Sequence, residues 1–210
     1  GPTSATSVGS ISGIWRADAD FRLRAGPTNV YLVSGVPDPN GTTYFAGAAA
    51  GPTLATALDA SKHEHAEGTE RRAFPDVYAD KSGNVHECYG AKNQVYYARH
   101  DANGKHPLGA DQLVFAGLGD WHLSTGLSAV AASGSGDVVL AVALRSDGSQ
   151  AASNADVLWA LSEDGGKTWS KPKELGKKTH AGEGRRRPRL VAIDKTFVLL
   201  FWDNALSAIA

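Results

Sequence analysis

"HAEGTERRAFPDVYADKSGNVHECY", residues 65–89, and "HAGEGRRRPRLVAIDKTFVLLFW", residues 180–202, share one order of events. Each enters on His-Ala, passes Glu-Gly and an arginine cluster, reaches a proline, and then runs through two apolar stretches. A second matched pair lies upstream, "YFAGAAAGPTLATAL" (44–58) and "LWALSEDGGKTWSKPKEL" (158–175), and its two leucine ends are 117 residues apart. Midway, "LSAVAASGSGDVVLAV" (127–142) shows the same two-strand pattern, so the offset spans two units of about 58 residues. Self-similarity at that period marks stacked supersecondary units, none of which buries both faces alone.

The local pattern within each unit is strand and turn. "NVYLVSG" (29–35), "TTYFAG" (42–47), "FPDVYAD" (74–80), "NVHECYG" (84–90), "QVYYARH" (94–100), "DQLVFAG" (111–117), "LSAVAAS" (127–133), "DVVLAVALRS" (137–146), "ADVLWALS" (155–162), "RLVAID" (189–194) and "TFVLLFW" (196–202) are short runs rich in β-branched and aromatic residues. Gly, Asn, Asp, Ser and Pro bound them. "DKSGN" (80–84), "DANGK" (101–105) and "SGSGD" (133–137) read as tight hairpin turns, because Gly and Asn supply the positive φ that such turns need. The expected fold is an all-β meander of about four strands per unit, and a β-propeller is the usual way to stack such units.

Composition bounds the function. The 210 residues are 42% apolar, enough for a sizeable core, and Lys+Arg 21 against Asp+Glu 22 leaves a net charge of −1. So balanced a chain offers no global attraction to nucleic acid or to an anionic membrane. No apolar run approaches the ~18–20 residues of a membrane span. The sequence has no methionine, and "GPTSATSVGS" (1–10) lacks the regions of a signal peptide, so this beginning is expected to be a processed or cloned end. The single cysteine, Cys88, has no internal partner and reads as a buried thiol, an interchain thiol or a metal ligand.

"SEDGGKTW" (162–169) resembles the Asp-box of sialidase-like propellers through Ser162, Asp164, Gly166, Thr168 and Trp169. Decayed copies stand at 48–54 and 98–106. The resemblance implies that the box joins the third and fourth strands of a blade on the face away from the ligand. In it the Asp164 carboxylate accepts N–H groups of its own turn, and Trp169 packs between neighbouring hairpins. Asp164 is thus expected to be structural. The blades are expected at about 13–58, 73–117, 127–175 and 187–210, the last incomplete, after a flexible lead-in over residues 1–12. The chain would then supply roughly three and a half blades, against ~4–8 in a closed ring. An open ring exposes strand edges, so a second chain or segment, or self-association, is expected to complete it.

If box hairpins lie on one face, the links between blades lie on the other. Those links read "ASKHEHAEGTERRAFP" (60–75), "GLGDWHLSTG" (117–126) and "KKTHAGEGRRRP" (177–188). Guanidinium groups bind carboxylates through paired, charge-assisted hydrogen bonds. Sialidases clamp their substrate's carboxylate with three arginines, and "RRRP" (185–188) resembles their Arg-x-Pro element, with Arg186 and Pro188 in register. Arg72, Arg186, Arg187 and Trp121 are therefore the candidate contacts to an anionic glycan. The plainer reading is that these arginines are solvated or pair with Glu67, Glu70 and Glu183. A sialidase also needs a tyrosine nucleophile with a glutamate, and an aspartate. The tyrosine belongs to the last blade, which this chain does not reach. Glu87 and Tyr89, or Asp18 and Asp20, are weak substitutes, so activity is left open between a glycosidase and a lectin or interaction module, with Trp15 and Trp202 as further sugar platforms.

A metal site is the alternative. His63, His65, His122 and His180 fall in successive links, where neutral imidazoles from several blades would suit copper or zinc. His86 and Cys88 share a strand face and could hold a soft metal. His100 and His106 are expected to be exposed beside a turn. Trp159 and Trp169 read as packing residues. The expected compartment is secreted or periplasmic.

Overall fold

A computed structural model of the chain describes residues 20–27, 29–35, 43–49, 59–63, 72–91, 93–101, 108–118, 128–146, 155–176 and 185–203. Fourteen strands occupy them. β1 (Asp20–Ala25), β2 (Asn29–Gly35), β3 (Thr43–Ala49) and β4 (Asp59–His63) form the first sheet, with β5 (Arg72–Ala79), β6 (Val85–Ala91), β7 (Gln94–His100) and β8 (Gln112–Phe115) in the second. The third holds β9 (Ser128–Ala132), β10 (Val139–Ser146), β11 (Ala155–Ser162) and β12 (Lys173–Glu174), and the fourth pairs β13 (Arg185–Ile193) with β14 (Thr196–Asp203). Within each sheet the strands lie in chain order and antiparallel.

The first strands stand side by side. β1 adjoins β5, β5 adjoins β9, and β9 adjoins β13. They begin 52, 56 and 57 residues apart, so the sequence period is one sheet. This is the arrangement of propeller blades, each first strand nearest the axis.

Stacking follows from the period of two along each strand. On β9, Val130 and Ala132 face the second sheet, whereas Ala129 and Ala131 face the fourth. Between the second and third sheets lies a core of Cys88, Val95, Tyr97, Val114, Phe115 and Leu118 against Val130, Val139, Ala141, Ala143, Leu158 and Ala160. Between the third and fourth, Ala129, Ala131, Val142, Leu144 and Val157 meet Leu190, joined by Phe197 and Leu199. A sheet buried on both faces needs an almost unbroken apolar run, which "VLAVAL" (139–144) supplies. The alanines let neighbouring sheets approach closely.

Pro75 and Pro188 sit in first strands, where a missing N–H would break a ladder bond. Both strands resolve this in one way. The register between β5 and β6 slips between Ala73 and Asp76, and that between β13 and β14 slips between Arg186 and Arg189. Each slip takes one extra residue into the first strand beside its proline, a β-bulge. The matched arginine-proline segments thus make matched local structure.

Several boundaries differ from the sequence expectation. β1, β4 and β12 were not among the expected strands: "DASKH" and "KE" carry no apolar alternation, whereas "DFRLRA" alternates charged with apolar residues and was a strand signal left unread. β4 takes in His63, so the link runs over 64–71 rather than from residue 60. Arg72 opens β5 and Arg185, Arg186 and Arg187 open β13, so these arginines belong to strands and not to links. The lead-in over 1–12 and the turn at 101–105 lie outside the described residues, apart from Asp101. Among the described residues no helix is long and apolar enough to cross a membrane.

Candidate functional site

Antiparallel meanders divide their connections between two ends. Hairpins joining first to second and third to fourth strands lie at one end, and the sheet-to-sheet links with the second-to-third turns lie at the other. At the link end the first strands begin with Asp20, Arg72, Ser128 and Arg185. Arginine therefore opens two of the four first strands, with Ser128 opening the strand between them and Asp20 the strand on the other side of β5. Arg186 stands directly opposite Trp202 in the β13–β14 register, which brings a guanidinium residue and an indole residue to adjacent strands at that end. Arg187 lies within the bulge.

Below this mouth, Asp76 ties three first strands together. Its carboxylate is fully buried and accepts three guanidinium contacts from Arg24 on β1, Nε to Oδ1 at 3.1 Å, Nη2 to Oδ1 at 2.8 Å and Nη2 to Oδ2 at 2.9 Å. Oδ2 also accepts the Val130 N–H of β9 at 3.2 Å. The inner edge of a first strand has no further strand to pair with, so a side chain must take up its N–H groups. Asp76 does so for β9 while neutralising Arg24. Ser128, on the same face of β9 as Val130, has a buried hydroxyl with no hydrogen-bond partner among the described residues.

The hairpin end is built differently. Asp164 Oδ1 accepts the Thr168 N–H at 2.9 Å and the Ser162 hydroxyl at 2.8 Å, and Oδ2 accepts the Thr168 hydroxyl at 2.6 Å. Those bonds from Thr168, side chain first, hold the Asp164 carboxyl down to about 2. Ser162 Oγ accepts the Gly166 N–H at 2.8 Å, and Trp169 Nε1 donates to Gly166 O at 3.2 Å. Gly165 and Gly166 take φ of 72° and 91°. At Gly166 a Cβ would also fall inside the Tyr97 ring of the second sheet. Trp169 meets that ring edge to face at 5.0 Å.

Beneath the hairpin runs a buried polar chain. Tyr97 Oη lies 2.8 Å from His86 Nδ1, and His86 Nε2 lies 3.3 Å from Asp80 Oδ2. The Tyr97 hydroxyl also donates to Gly165 O at 3.3 Å. Asp80 accepts from Ser82 N–H, Asn84 N–H and Asn84 Nδ2, closing the 80–84 turn. Burial alone would raise its carboxyl, but the bonds from His86 and Asn84 outweigh that and hold it low. Burial, with Arg99 adding to it, lowers His86 and keeps the ring neutral, against the opposing pull of Asp80. Burial pushes the Cys88 thiol well up, away from the thiolate that a metal or an oxidant would need.

His86 thus takes part in the hydrogen-bonded chain at the hairpin end, and Cys88 lies in the core between sheets. His100 is buried, 3% exposed, rather than exposed as expected, because β7 carries it into the sheet, where it lies 3.5 Å from Glu87. Among the described residues no three His, Cys, Asp or Glu side chains gather as metal ligands. Of the four link histidines, only His63 lies within the described residues, at the end of β4 opposite Thr43. His65, His122, His180, Trp121, Trp15 and His106 lie outside them. Asp76 and Ser128 were missed by sequence reasoning. The position after Pro75 was the available signal for Asp76, while nothing in "LSAVAAS" singles out Ser128.

No protein-family model and no curated protein matches the chain. Solved structures do. A thermostable family-43 glycoside hydrolase superposes with a TM-score of 0.55 at 9% identity, over 87% of this chain and 64% of its own. An endo-arabinase from Bacteroides thetaiotaomicron gives 0.55 at 14%, over 92% and 73%. An α-L-arabinofuranosidase from Lactobacillus brevis gives 0.53 at 14%, over 89% and 62%. This chain spans less than two thirds of the first of them. At such identities the likeness is one of fold, and it places the four sheets as blades of a partial β-propeller of the kind that glycoside hydrolases use.

Proposed function

We propose that this chain forms part of a propeller that binds an anionic glycan at the link end of its first strands. The observation that supports the reading is that Arg72 opens β5 and Arg185, Arg186 and Arg187 open β13, the two first strands that flank β9, in a fold shared with glycoside hydrolases. Guanidinium groups on separate strands suit the two oxygens of a sugar carboxylate. Trp202, opposite Arg186 in the strand register, and Trp121 are the aromatic residues this reading assigns to the sugar ring. In this reading "SEDGGKTW" is a structural Asp-box, the protein is secreted or periplasmic, and further sheet supplied by a second chain or segment, or by self-association, completes the ring.

A glycan array followed by calorimetry with a sialoside and a uronic-acid oligosaccharide tests the reading. Binding is expected to favour acidic over neutral glycans, and Arg186→Ala or Arg72→Ala to weaken it at least about tenfold, the loss of one charge-assisted pair. Equal binding of neutral and acidic glycans, or no effect of either variant, would overturn it. Turnover of a fluorogenic sialoside would make the protein a glycosidase, and binding without turnover a lectin. Stoichiometric copper or zinc, lost on His122→Ala, would replace this reading with the metal-binding one.

A further inference from the structure

The buried chain at the hairpin end has one proton fewer than its acceptors can use. Asp80 is a carboxylate, since the bonds from His86 and Asn84 outweigh the upward push of burial. A carboxylate only accepts, so His86 Nε2, 3.3 Å from Asp80 Oδ2, carries the ring's proton. A neutral imidazole has a single N–H, which leaves Nδ1 bare. Nδ1 then takes the Tyr97 hydroxyl proton across 2.8 Å. The same hydroxyl faces Gly165 O at 3.3 Å, and it has one proton to give. With the ring neutral, the shorter contact holds that proton and the Asp-box carbonyl receives the smaller share.

Packing fixes the heavy atoms and leaves the proton as the part that can move. A Cβ at Gly166 would fall inside the Tyr97 ring, and Trp169 meets that ring at 5.0 Å, so the ring cannot swing away. A Cβ at Gly136 would meet the Asp80 carboxylate, so the 133–138 turn of the third sheet closes over the His86 and Asp80 side chains, both fully buried. The charged and titratable groups around His86 are Asp80 from its own hairpin, Tyr78 opposite it on β5, Arg99 opposite it on β7, and Tyr97 and Cys88 on the same face. The third sheet adds Asp164 beyond Tyr97 and, in the 133–138 turn, Asp137. Burial pushes Tyr78, Tyr97 and Cys88 upward, and Asp164 stays ionised down to about 2. His86 is therefore the member of the chain whose charge mild acid changes.

We propose that His86 and Tyr97 form a proton-linked switch between the second and third sheets, in which charging His86 turns the Tyr97 hydroxyl from the imidazole to the Gly165 carbonyl of the Asp-box. The proton balance closes. The incoming proton binds Nδ1, whose new N–H donates to Tyr97 Oη, and the released Tyr97 O–H donates to Gly165 O. Nε2–H stays on Asp80, now as a charge-assisted bond. Each donor then has its own acceptor, and β7 holds the Asp-box turn through a full hydrogen bond. Burial, with Arg99 adding to it, opposes the charge, so the ring takes its proton only below its ordinary 6.5. The stability that the neutral ring contributes is thus present above 6.5 and is lost as pH falls through the lower folded value. The switch lies at the hairpin end and is independent of the glycan reading, so either can fail alone.

Nitrogen NMR of the full chain, titrated from about pH 8 to about pH 4 across the histidine range, tests it. At the upper end His86 is expected as the Nε2–H tautomer with a bare Nδ1, and the buried Tyr97 hydroxyl proton to show coupling through its hydrogen bond to Nδ1. On acidification both ring nitrogens become protonated with a midpoint below 6.5, that coupling is lost, and the Gly166 amide, which shares its peptide with the Gly165 carbonyl, shifts with the same midpoint. In Tyr97→Phe the Gly166 shift is expected to vanish while His86 still titrates, which separates the turned hydroxyl from the field of the new charge. The titration of the unmodified chain stands by itself if that variant does not fold. A bare Nε2 at neutral pH, a His86 that takes no proton before the chain unfolds, or a Tyr97 coupling unchanged by its protonation would overturn the proposal. So would a Gly166 shift that persists in Tyr97→Phe.

Discussion

Asp164 shows how one exposed carboxylate can be spent wholly on its own turn. Its oxygens are taken by Thr168 and Ser162, and the two glycines hold backbone angles that other residues resist. Because those bonds favour the ionised form, the folded chain holds this proton less tightly than the unfolded one, whose carboxyl titrates near 3.8. The stability it contributes is therefore present above pH 3.8 and is lost as pH falls toward about 2. Melting temperatures of the parent and of Asp164→Asn should differ at pH 5 and converge as pH approaches 2. A constant difference across that range would mean that the charge is irrelevant to the turn. At this scale the sequence was informative, since Ser, Asp, Gly and Thr at those spacings have few uses besides a self-bonded turn. It was uninformative for His100, which β7 carries into the sheet within 3.5 Å of Glu87 on the neighbouring strand.

At the scale of strands, the arginine-proline segments explain more than their charge. Each proline forces a bulge into a first strand, and in β5 the next residue is Asp76, which reaches both β1 and β9. Replacing Asp76 by Ala would leave the Arg24 guanidinium and the Val130 N–H without their acceptor, a loss of about 3–5 kcal/mol for a broken buried pair. Urea unfolding is the measurement. Arg24→Ala should lose nearly as much, and the double variant little more than either single one, because both remove one interaction. Simple addition of the two losses would show that Asp76 and Arg24 stabilise the ring independently. Strands with apolar alternation could be read directly, as could the hairpins at 80–84 and 133–137. β4 and β12 could not, because an outer strand held only by one neighbour's backbone needs no apolar face, and nothing in "DASKH" or "KE" distinguishes strand from link.

At the scale of the molecule, the period of about 58 residues reveals the stacking of sheets, but pairwise contacts such as Arg24 with Asp76, 52 residues apart, follow only from which faces the stack brings together. The same stack makes stability uneven. Among the described residues the space between the second and third sheets holds the larger apolar cluster, closed at one end by Trp169 on Tyr97. Among the described residues the fourth sheet has two strands, buries one face and exposes Val191, Ile193, Val198 and Leu200 on the other. Backbone hydrogen bonds open most readily where few apolar contacts shield them, so local opening should be graded along the stack. Hydrogen exchange at low protein concentration is expected to show the slowest amides in β6, β7, β9 and β10. β13 should be intermediate, since Leu190 locks it to the third sheet, and β14 should be the fastest of these strands. Uniform protection from β6 to β14 would mean that the sheets open as one cooperative unit, and the exposed face of the fourth sheet would then carry no local weakness.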